Sequence, residues 1–187
     1  MIGLLGGAFD PPHNGHLALA RTAIGHFALE QLVVLVVAAP GHRRVVTSPE
    51  IRLRLAEAAF GDLPRATVEL DEHAFTVDLL REGRFHEPLV LIGADQLAAF
   101  ATWKEPDEVL RLARLGVATR PTHGRSLLEG VLAGLEHPER VELFELEPLP
   151  ISSSDIRARI ARGQTSGGTV PAPVERTIAA FGLYRDG

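Results

Sequence analysis

Short apolar runs alternate with helical patterns along this 187-residue chain. Residues 33–38 are mostly β-branched, apolar and followed by a Pro-Gly pair, which predicts a strand buried on both faces. In residues 141–146 apolar and acidic residues alternate, which predicts an edge strand with one solvent-exposed face. Other strands are predicted at 2–5, 67–70, 89–92 and 115–118. The alternation predicts an α/β fold, a Rossmann-like, doubly wound parallel sheet of about five to six strands with helices on both faces and ligands at the carboxyl ends.

Helix starts are marked by serine and proline. Ser48 is a plausible N-cap before Pro49, and two short helices close the chain, one after the serines at 152–154 and one after Pro171 and Pro173. The sequence contains no internal repeat. We therefore expect all 187 residues to form a single domain, with the segment 171–187 as a C-terminal helical extension.

The overall charge and the cysteine content exclude several classes of protein. A formal net charge of −5 argues against a general nucleic-acid or acidic-membrane surface, so any grip on phosphate must be local. With 0 cysteines there is neither a disulfide framework nor a thiolate nucleophile. No basic segment precedes a long apolar run at the N-terminus. The expectation is a cytoplasmic protein, either a monomer or a homo-oligomer.

The segment 6–16 places two glycines after an apolar run and two histidines at the start of a helix. Gly6 and Gly7 allow the backbone to approach a ligand without a β-carbon in the way. His13 and His16 could then converge on one phosphate at the positive end of the helix. Taken alone, such a pair is usually surface decoration or half of a metal site, but a metal is disfavoured because no carboxylate lies at helical ligand spacing from His16. The spacing suits charge stabilisation better than proton transfer.

A second candidate anion site opens the helix after residue 151. Ser152 to Ser154 can cap the free N–H groups, and Asp155 stands three residues after Ser152, as in a capping box. Arg157 lies in the first turn, where its forked guanidinium could bind phosphate oxygens. The alternative is a well-capped helix with a solvated arginine.

The two segments together resemble the signatures of the nucleotidylyltransferase superfamily. The HxGH box matches residues 13–16, and the ISSTxIR box matches residues 151–157 with Ser154 in the threonine place. The closer resemblance is to the bacterial nicotinate mononucleotide adenylyltransferases and runs over nearly the whole chain. It includes the GGxFDPxHxGH opening and elements similar to PPHK, YTxDT, GAD, TW and RP, with departures at Gly41, Arg43, Phe75, Leu79 and Lys104.

The resemblance implies that the phosphate of nicotinate mononucleotide attacks the α-phosphorus of ATP directly, giving the dinucleotide and pyrophosphate in NAD biosynthesis. It makes His13, His16 and Arg157 the catalytic residues that stabilise charge. It also implies that Mg²⁺ arrives with ATP and is held mainly by phosphate oxygens and water, without a tightly bound organic cofactor. ATP and nicotinate mononucleotide are then the partners, with no nucleic acid and no membrane.

The same resemblance assigns residues to the two substrates. Those implied for ATP are Gly7, Ala8, Phe9, Gly93, Asp95, Ile151, Ser152 and Ser153. Those implied for the pyridine nucleotide are Thr76, Trp103, Lys104, His42 and Arg43, with Trp103 stacking on the ring and N–H groups of Thr76, Trp103 and Lys104 on the carboxylate. Alternatives stay open: Asp95 could cap the next helix, Trp103 could be core, and His42 and Arg43 could be a solvated loop.

Two rival functions remain at the level of sequence. Phosphopantetheine adenylyltransferase shares both phosphate boxes but is typically shorter and lacks the TW element. A non-catalytic nucleotide sensor on the same scaffold would keep the glycines but could lose His16 or Arg157, and both are present. The choice between nicotinate and nicotinamide mononucleotide stays open, because backbone N–H groups distinguish them.

Overall fold

The computed structural model describes residues 1–41, 45–119, 125–147 and 149–185, with the side chains of 125–127 outside that description. Parallel strands form one sheet of 6 strands in the order β3-β2-β1-β4-β5-β6. The strands are β1 (Ile2–Gly7), β2 (Gln31–Val37), β3 (Ala66–Asp71), β4 (Leu89–Gly93), β5 (Arg114–Thr119) and β6 (Val141–Glu145). The predicted doubly wound, Rossmann-like α/β fold is confirmed, and β6 lies at the predicted edge.

The α-helices are α1 (Asn14–His26), α2 (Pro49–Phe60), α3 (Thr76–Arg81), α4 (Ala94–Ala98), α5 (Pro106–Leu112), α6 (Arg125–Leu132), α7 (Ser153–Ala161) and α8 (Ala172–Phe181). Ser48 caps α2 as predicted, because its side chain accepts a hydrogen bond from the Ile51 N–H. The last helix begins at Ala172, so Pro171 is its N-cap and Pro173 lies inside the first turn. The sequence analysis missed α3 and α6.

Two hydrophobic cores cover the two faces of the sheet, because successive strand residues point to opposite sides. Leu5 and Val34 pack on the face covered by α1, α2, α7 and α8. Leu4, Val33 and Leu35 pack on the face covered by α3, α4, α5 and α6. The strands are therefore buried on both sides, as their apolar composition predicts.

The strand order reverses between β1 and β4, which lie side by side in the centre of the sheet. Ligands of open α/β sheets bind outside the carboxyl ends of the strands at such a switch point. Here those ends are Gly7 of β1 and Gly93 of β4. The glycine and histidine segment therefore follows the strand end where this fold places a ligand.

Among the helices that the structure describes, none has both the length and the apolar surface that crossing a membrane requires.

Candidate active site

The loop after β1 is built around the ring of Phe9. Phe9 has a positive φ of 51° and is buried. A β-carbon on Gly7 would lie 2.8 Å from the Phe9 ring, so this strand end accepts only glycine. The ring packs edge-on against His16, with centroids 5.1 Å apart, and against Phe60 of α2. Phe9 thus joins the loop to the core and gives the imidazole of His16 a fixed apolar wall.

His13 and His16 lie together at the start of α1. His13 is the N-cap residue, and its N–H donates to Nδ1 of His16 over 3.2 Å. The two rings stack with centroids 3.8 Å apart. Because Nδ1 of His16 accepts a hydrogen bond, a neutral His16 ring carries its proton on Nε2, which is then a donor. The structure therefore brings the two predicted imidazoles into direct contact.

Burial keeps the ring of His13 neutral. Desolvation lowers the pKa of His13 from 6.5 to about 4. Its buried Nδ1 has no hydrogen-bond partner within the described part of the chain. A β-carbon on Gly15 would lie 3.0 Å from this ring, so glycine between the two histidines leaves it room. A buried polar atom without a partner costs free energy, and a ligand oxygen could satisfy it.

The start of α7 docks onto the loop that carries the histidines. Ser153 Oγ donates to the carbonyl of Pro11 over 2.8 Å. Arg157 Nη1 donates to the carbonyl of Asp10 over 2.6 Å, and its Nη2 donates to Ser154 Oγ over 3.3 Å. Ser152 caps the helix, because its Oγ accepts from the Asp155 N–H and donates to the Asp155 carboxylate. The two sequence boxes therefore form one site. Ser152 caps α7, as the alternative interpretation expected, but Arg157 contacts the loop that carries the histidines.

Asp10 and Arg52 fix the same loop through buried hydrogen bonds. The sequence analysis assigned neither residue a role in the site. Arg52 is fully buried in α2 and donates to four carbonyls, those of Ala8, Val37 and Ala38 at 2.7 to 3.0 Å and that of Thr47 at 3.3 Å. Its burial lowers the pKa of the guanidinium, and the nearby charge of Asp10 raises it. One signal was available: Arg52 occupies the same helical stripe as Leu55 and would otherwise be expected to be apolar.

The end of β4 supplies the side predicted for adenosine. Gly93 is the N-cap of α4, and its N–H donates to the side chain of Gln96. A β-carbon on Gly93 would meet no atom within 4 Å, so there is open space beside this strand end. Asp95 is the second residue of α4 and is exposed, so it does not cap this helix, which is the alternative that the sequence analysis allowed. Ile151 precedes the cap of α7 and is half-buried.

The start of α3 and the residues after Phe100 meet on the predicted pyridine side. Lys104 Nζ lies 2.8 Å from Asp78 Oδ1 and 5.1 Å from the ring centroid of Phe75. The Trp103 ring packs against Phe100, with centroids 5.2 Å apart, and is half-buried. Thr76 opens α3. The structure thus brings Thr76 and Lys104 to one place, although 28 residues separate them in sequence.

One detail of the pyridine side corrects the sequence analysis. The Trp103 N–H donates to the carbonyl of Phe100 over 2.9 Å, so it is already engaged. The N–H groups of Thr76 and Lys104 make no hydrogen bond with the residues that the structure describes. Leu79, which departs from the resemblance, is buried in the core. The two remaining N–H groups are the ones available to a ligand.

Comparison with known proteins gives a match over most of the chain. Residues 4–159 match the family described as cytidylyltransferase-like. The chain belongs to the cytidylyltransferase-like family. A protein of Bordetella avium named probable nicotinate-nucleotide adenylyltransferase is 37% identical, covering 98% of both chains, and one of Bordetella petrii with the same name is 38% identical at the same coverage. Within the cytidylyltransferase-like family, the chain is a nucleotidyltransferase of the nicotinate-nucleotide adenylyltransferase group.

Solved structures of this group share the fold. The nicotinic acid mononucleotide adenylyltransferase of Plasmodium falciparum complexed with NaAD superposes with a TM-score of 0.81, at 16% identity over 98% of this chain and 96% of that chain. The same protein complexed with APC gives a TM-score of 0.79 at the same identity and coverage. At this identity, the likeness establishes the fold of the adenylyltransferase group for this chain.

His42 and Arg43 lie outside the described residues. No cluster of three or more His, Cys, Asp or Glu side chains that could hold a metal ion occurs in the described part of the chain. The groups gathered at the two boxes, imidazole, guanidinium and hydroxyl, are donors that suit phosphate oxygens.

Proposed function

We propose that this enzyme transfers the adenylyl group of ATP to nicotinate mononucleotide, giving the dinucleotide and pyrophosphate in NAD biosynthesis. The observation that carries the proposal is the contact between the two boxes: Arg157 and Ser153 bind the loop that presents His13 and His16. The full-length likeness to nicotinate-nucleotide adenylyltransferases supports the choice of substrate.

The proposed reaction is one direct displacement without a covalent enzyme intermediate. An oxygen of the mononucleotide phosphate forms a bond to the α-phosphorus of ATP. The bond from the α-phosphorus to the bridging oxygen breaks, and pyrophosphate leaves with the electron pair. A phosphate monoester has a second pKa of about 6, so the attacking group is largely dianionic at neutral pH and needs no general base. The work of the enzyme is alignment and stabilisation of the spreading charge.

The proposed catalytic residues are His13, His16 and Arg157. The neutral ring of His16 can donate from Nε2, since its Nδ1 accepts from the loop. The guanidinium of Arg157 carries five N–H donors, of which two positions are used by Asp10 and Ser154. Its remaining donors and the free N–H groups at the starts of α1 and α7 support a grip on the triphosphate. One well-placed donor of this kind is worth about 3 kcal/mol of barrier.

The two substrates are proposed to lie on either side of this centre. Residues proposed for ATP are Gly7, Ala8, Phe9, Gly93, Asp95, Ile151, Ser152 and Ser153. Residues proposed for the pyridine nucleotide are Thr76, Trp103, Lys104, His42 and Arg43. The open space beside Gly93 and the unused N–H groups of Thr76 and Lys104 support this division.

Mg²⁺ is proposed to accompany ATP. When bound, it would neutralise charge on the phosphate oxygens, which with water would be its main ligands. Asp95, exposed at the start of α4, is the carboxylate proposed to accept from a metal-bound water or a ribose hydroxyl.

We also propose that residues 1–187 act as one nucleotidylyltransferase domain with 171–187 as a helical extension, since α8 contributes Val174 to the core shared with α1 and α7.

The proposal is tested by product analysis with the purified chain, ATP and Mg²⁺. Nicotinate mononucleotide, nicotinamide mononucleotide and phosphopantetheine are supplied in separate reactions, and adenylylated products are separated by chromatography. We expect the dinucleotide of nicotinate with release of pyrophosphate. Turnover with phosphopantetheine and no product from either pyridine nucleotide would overturn the proposal. The ratio of kcat/KM for the acid and the amide measures the preference that the sequence leaves open.

A further inference from the structure

The carboxylate of Asp10 is buried and fully used. It is 2% exposed. Its Oδ2 accepts from the Val46 N–H over 2.6 Å, and its Oδ1 accepts from Thr47 Oγ1 over 2.7 Å and from Tyr184 Oη over 2.8 Å. A buried charge is retained at low cost only when it is paired and hydrogen-bonded in this way. The three donors come from segments 36 to 174 residues away along the chain.

Asp10 is also the residue whose carbonyl Arg157 binds. The side chain of Asp10 is fixed by Tyr184 and Thr47, while its backbone oxygen accepts from Arg157 Nη1. Three residues later the chain reaches His13. The orientation of Asp10 therefore sets the orientation of both the guanidinium and the start of the histidine loop.

Arg52 fixes the backbone on both sides of the Asp10 side chain, in the loop before it and in the segment that donates to it. It donates from Nε to the Thr47 carbonyl at 3.3 Å and from Nη1 to the Ala8 carbonyl at 3.0 Å. The same guanidinium thus holds the residue two before Asp10 and the residue that donates to its carboxylate. Of the three donors to the Asp10 carboxylate, Val46 and Thr47 lie in the segment before α2. Tyr184 lies after α8, at the other end of the chain.

Tyr184 reaches Asp10 from the end of the chain. Gly182 ends α8 with a φ of 59°, and Tyr184 has a φ of 64°, so the backbone turns back after the helix. Burial, followed by the charge of Asp10, raises the pKa of the phenol above its ordinary value. The hydroxyl is consequently a neutral donor at neutral pH.

We propose that Tyr184 is a positioning residue for adenylyl transfer and acts through Asp10. This inference rests on the proposed function, because it assigns to the C-terminal segment the task of fixing the loop that carries His13 and His16 for that reaction. Loss of the hydroxyl leaves the Asp10 carboxylate with two of its three donors, Val46 and Thr47, and so less tightly fixed. A loosening of this kind displaces the reacting groups without removing any group that touches them, and small displacements are costly to turnover.

The test compares Tyr184→Phe with Thr177→Val. Both remove one hydroxyl from the C-terminal segment; the hydroxyl of Thr177 donates to the Pro173 carbonyl within α8 and does not approach Asp10. We expect Y184F to lower kcat about tenfold, with KM for ATP changed less than about threefold and Tm close to that of T177V. T177V is expected to keep the wild-type kcat. A wild-type kcat in Y184F, or an equal loss in T177V, would overturn the proposal.

A second variant separates positioning from general destabilisation. Asp10→Asn keeps the side-chain shape and removes the charge that Tyr184 holds. If Tyr184 acts through Asp10, adding Y184F to D10N should lower kcat less than about twofold further, because contacting residues are not additive. Full additivity of the two losses would contradict the proposal. If Y184F does not fold, a wild-type kcat in D10N overturns it.

A measurement independent of turnover keeps this inference distinct from the proposed function. The ring ¹⁵N resonances of His13 and His16, assigned through single histidine variants, report the loop directly. We expect Y184F to shift them and T177V to leave them in place. A wild-type enzyme that makes no dinucleotide would overturn the proposed function alone, whereas unshifted resonances in Y184F would overturn the positioning role whatever the substrate.

Discussion

The guanidinium of Arg157 donates a hydrogen bond of 2.6 Å to the carbonyl of Asp10, which lies 147 residues earlier in the chain. This contact places the first turn of α7 against the loop that begins at the end of β1. It makes one phosphate site from two segments that have no proximity in sequence. The proposed mechanism depends on this site.

Arg157→Lys should lower kcat/KM at least a hundredfold while the fold persists. Lysine keeps the charge but cannot bind the Asp10 carbonyl, Ser154 and a phosphate with one planar fork. The expected loss corresponds to about 2.7 kcal/mol of transition-state stabilisation. Pyrophosphate release measures it, with Arg159→Lys as the control, since Arg159 in the same helix binds the Thr165 carbonyl. An R157K enzyme within tenfold of wild type would remove the clamp role.

His16→Ala should lower kcat at least a hundredfold. The substitution removes the acceptor for the His13 N–H and the stacked partner of the His13 ring, together with the proposed Nε2 donor. His26→Ala, at the other end of α1, is the matched control and should stay near wild type. Circular dichroism establishes that both variants fold. Near-normal rates in H16A would show that His16 does not stabilise the charge that develops on the phosphates.

The free enzyme should show a His13 ring that titrates near pH 4. Burial lowers its pKa from 6.5 to about 4, so the folded state resists protonation that the unfolded chain accepts. The free energy of unfolding should therefore fall as the pH drops from about 6.5 toward about 4. Nitrogen-detected NMR of labelled histidine measures the pKa, and ATP binding should raise it by adding negative charge nearby. A His13 pKa at or above 6.5 in the free enzyme would contradict the burial of this ring.

His73 should stabilise the fold more at acidic than at alkaline pH. Its Nδ1 lies 2.8 Å from Asp71 Oδ1 and its Nε2 lies 3.1 Å from Glu82 Oε1. The hydrogen bond with Asp71 raises the pKa of His73 above 6.5, so its contribution is complete below that value and is lost as the pH rises through the folded-state pKa. The fall in Tm caused by His73→Gln should be larger at about pH 5.5 than at about pH 9. An equal fall at both would indicate that the pair is not charged.

The order of strands and long helices could be predicted from sequence because each carries a local pattern. Residues of β2 are apolar on both faces, and α2 begins with Ser48 and Pro49. The helices α3 and α6 were missed, since 6 and 8 residues are too few to establish a helical period. The position of β6 at the edge of the sheet could be predicted from its alternating apolar and acidic residues, whereas nothing in the sequence predicted the register between strands.

The phosphate boxes could be predicted because their chemistry lies in consecutive residues. The support beneath them could not, since Asp10 meets Tyr184 across 174 residues and Arg52 meets backbone carbonyls that have no sequence signature. Lys104 illustrates the same limit. It departs from the pattern of the resemblance, and only the fold shows that it binds Asp78 and covers the ring of Phe75.

Direct adenylyl transfer to nicotinate mononucleotide is tested most directly by the fate of the α-phosphorus. The enzyme is supplied with Mg²⁺, nicotinate mononucleotide and ATP that is chiral at a sulfur-substituted α-phosphorus, and the configuration of the dinucleotide product is determined. A single in-line displacement predicts a dinucleotide with inverted configuration. Retention would contradict direct attack, and the absence of dinucleotide would contradict the proposed function itself.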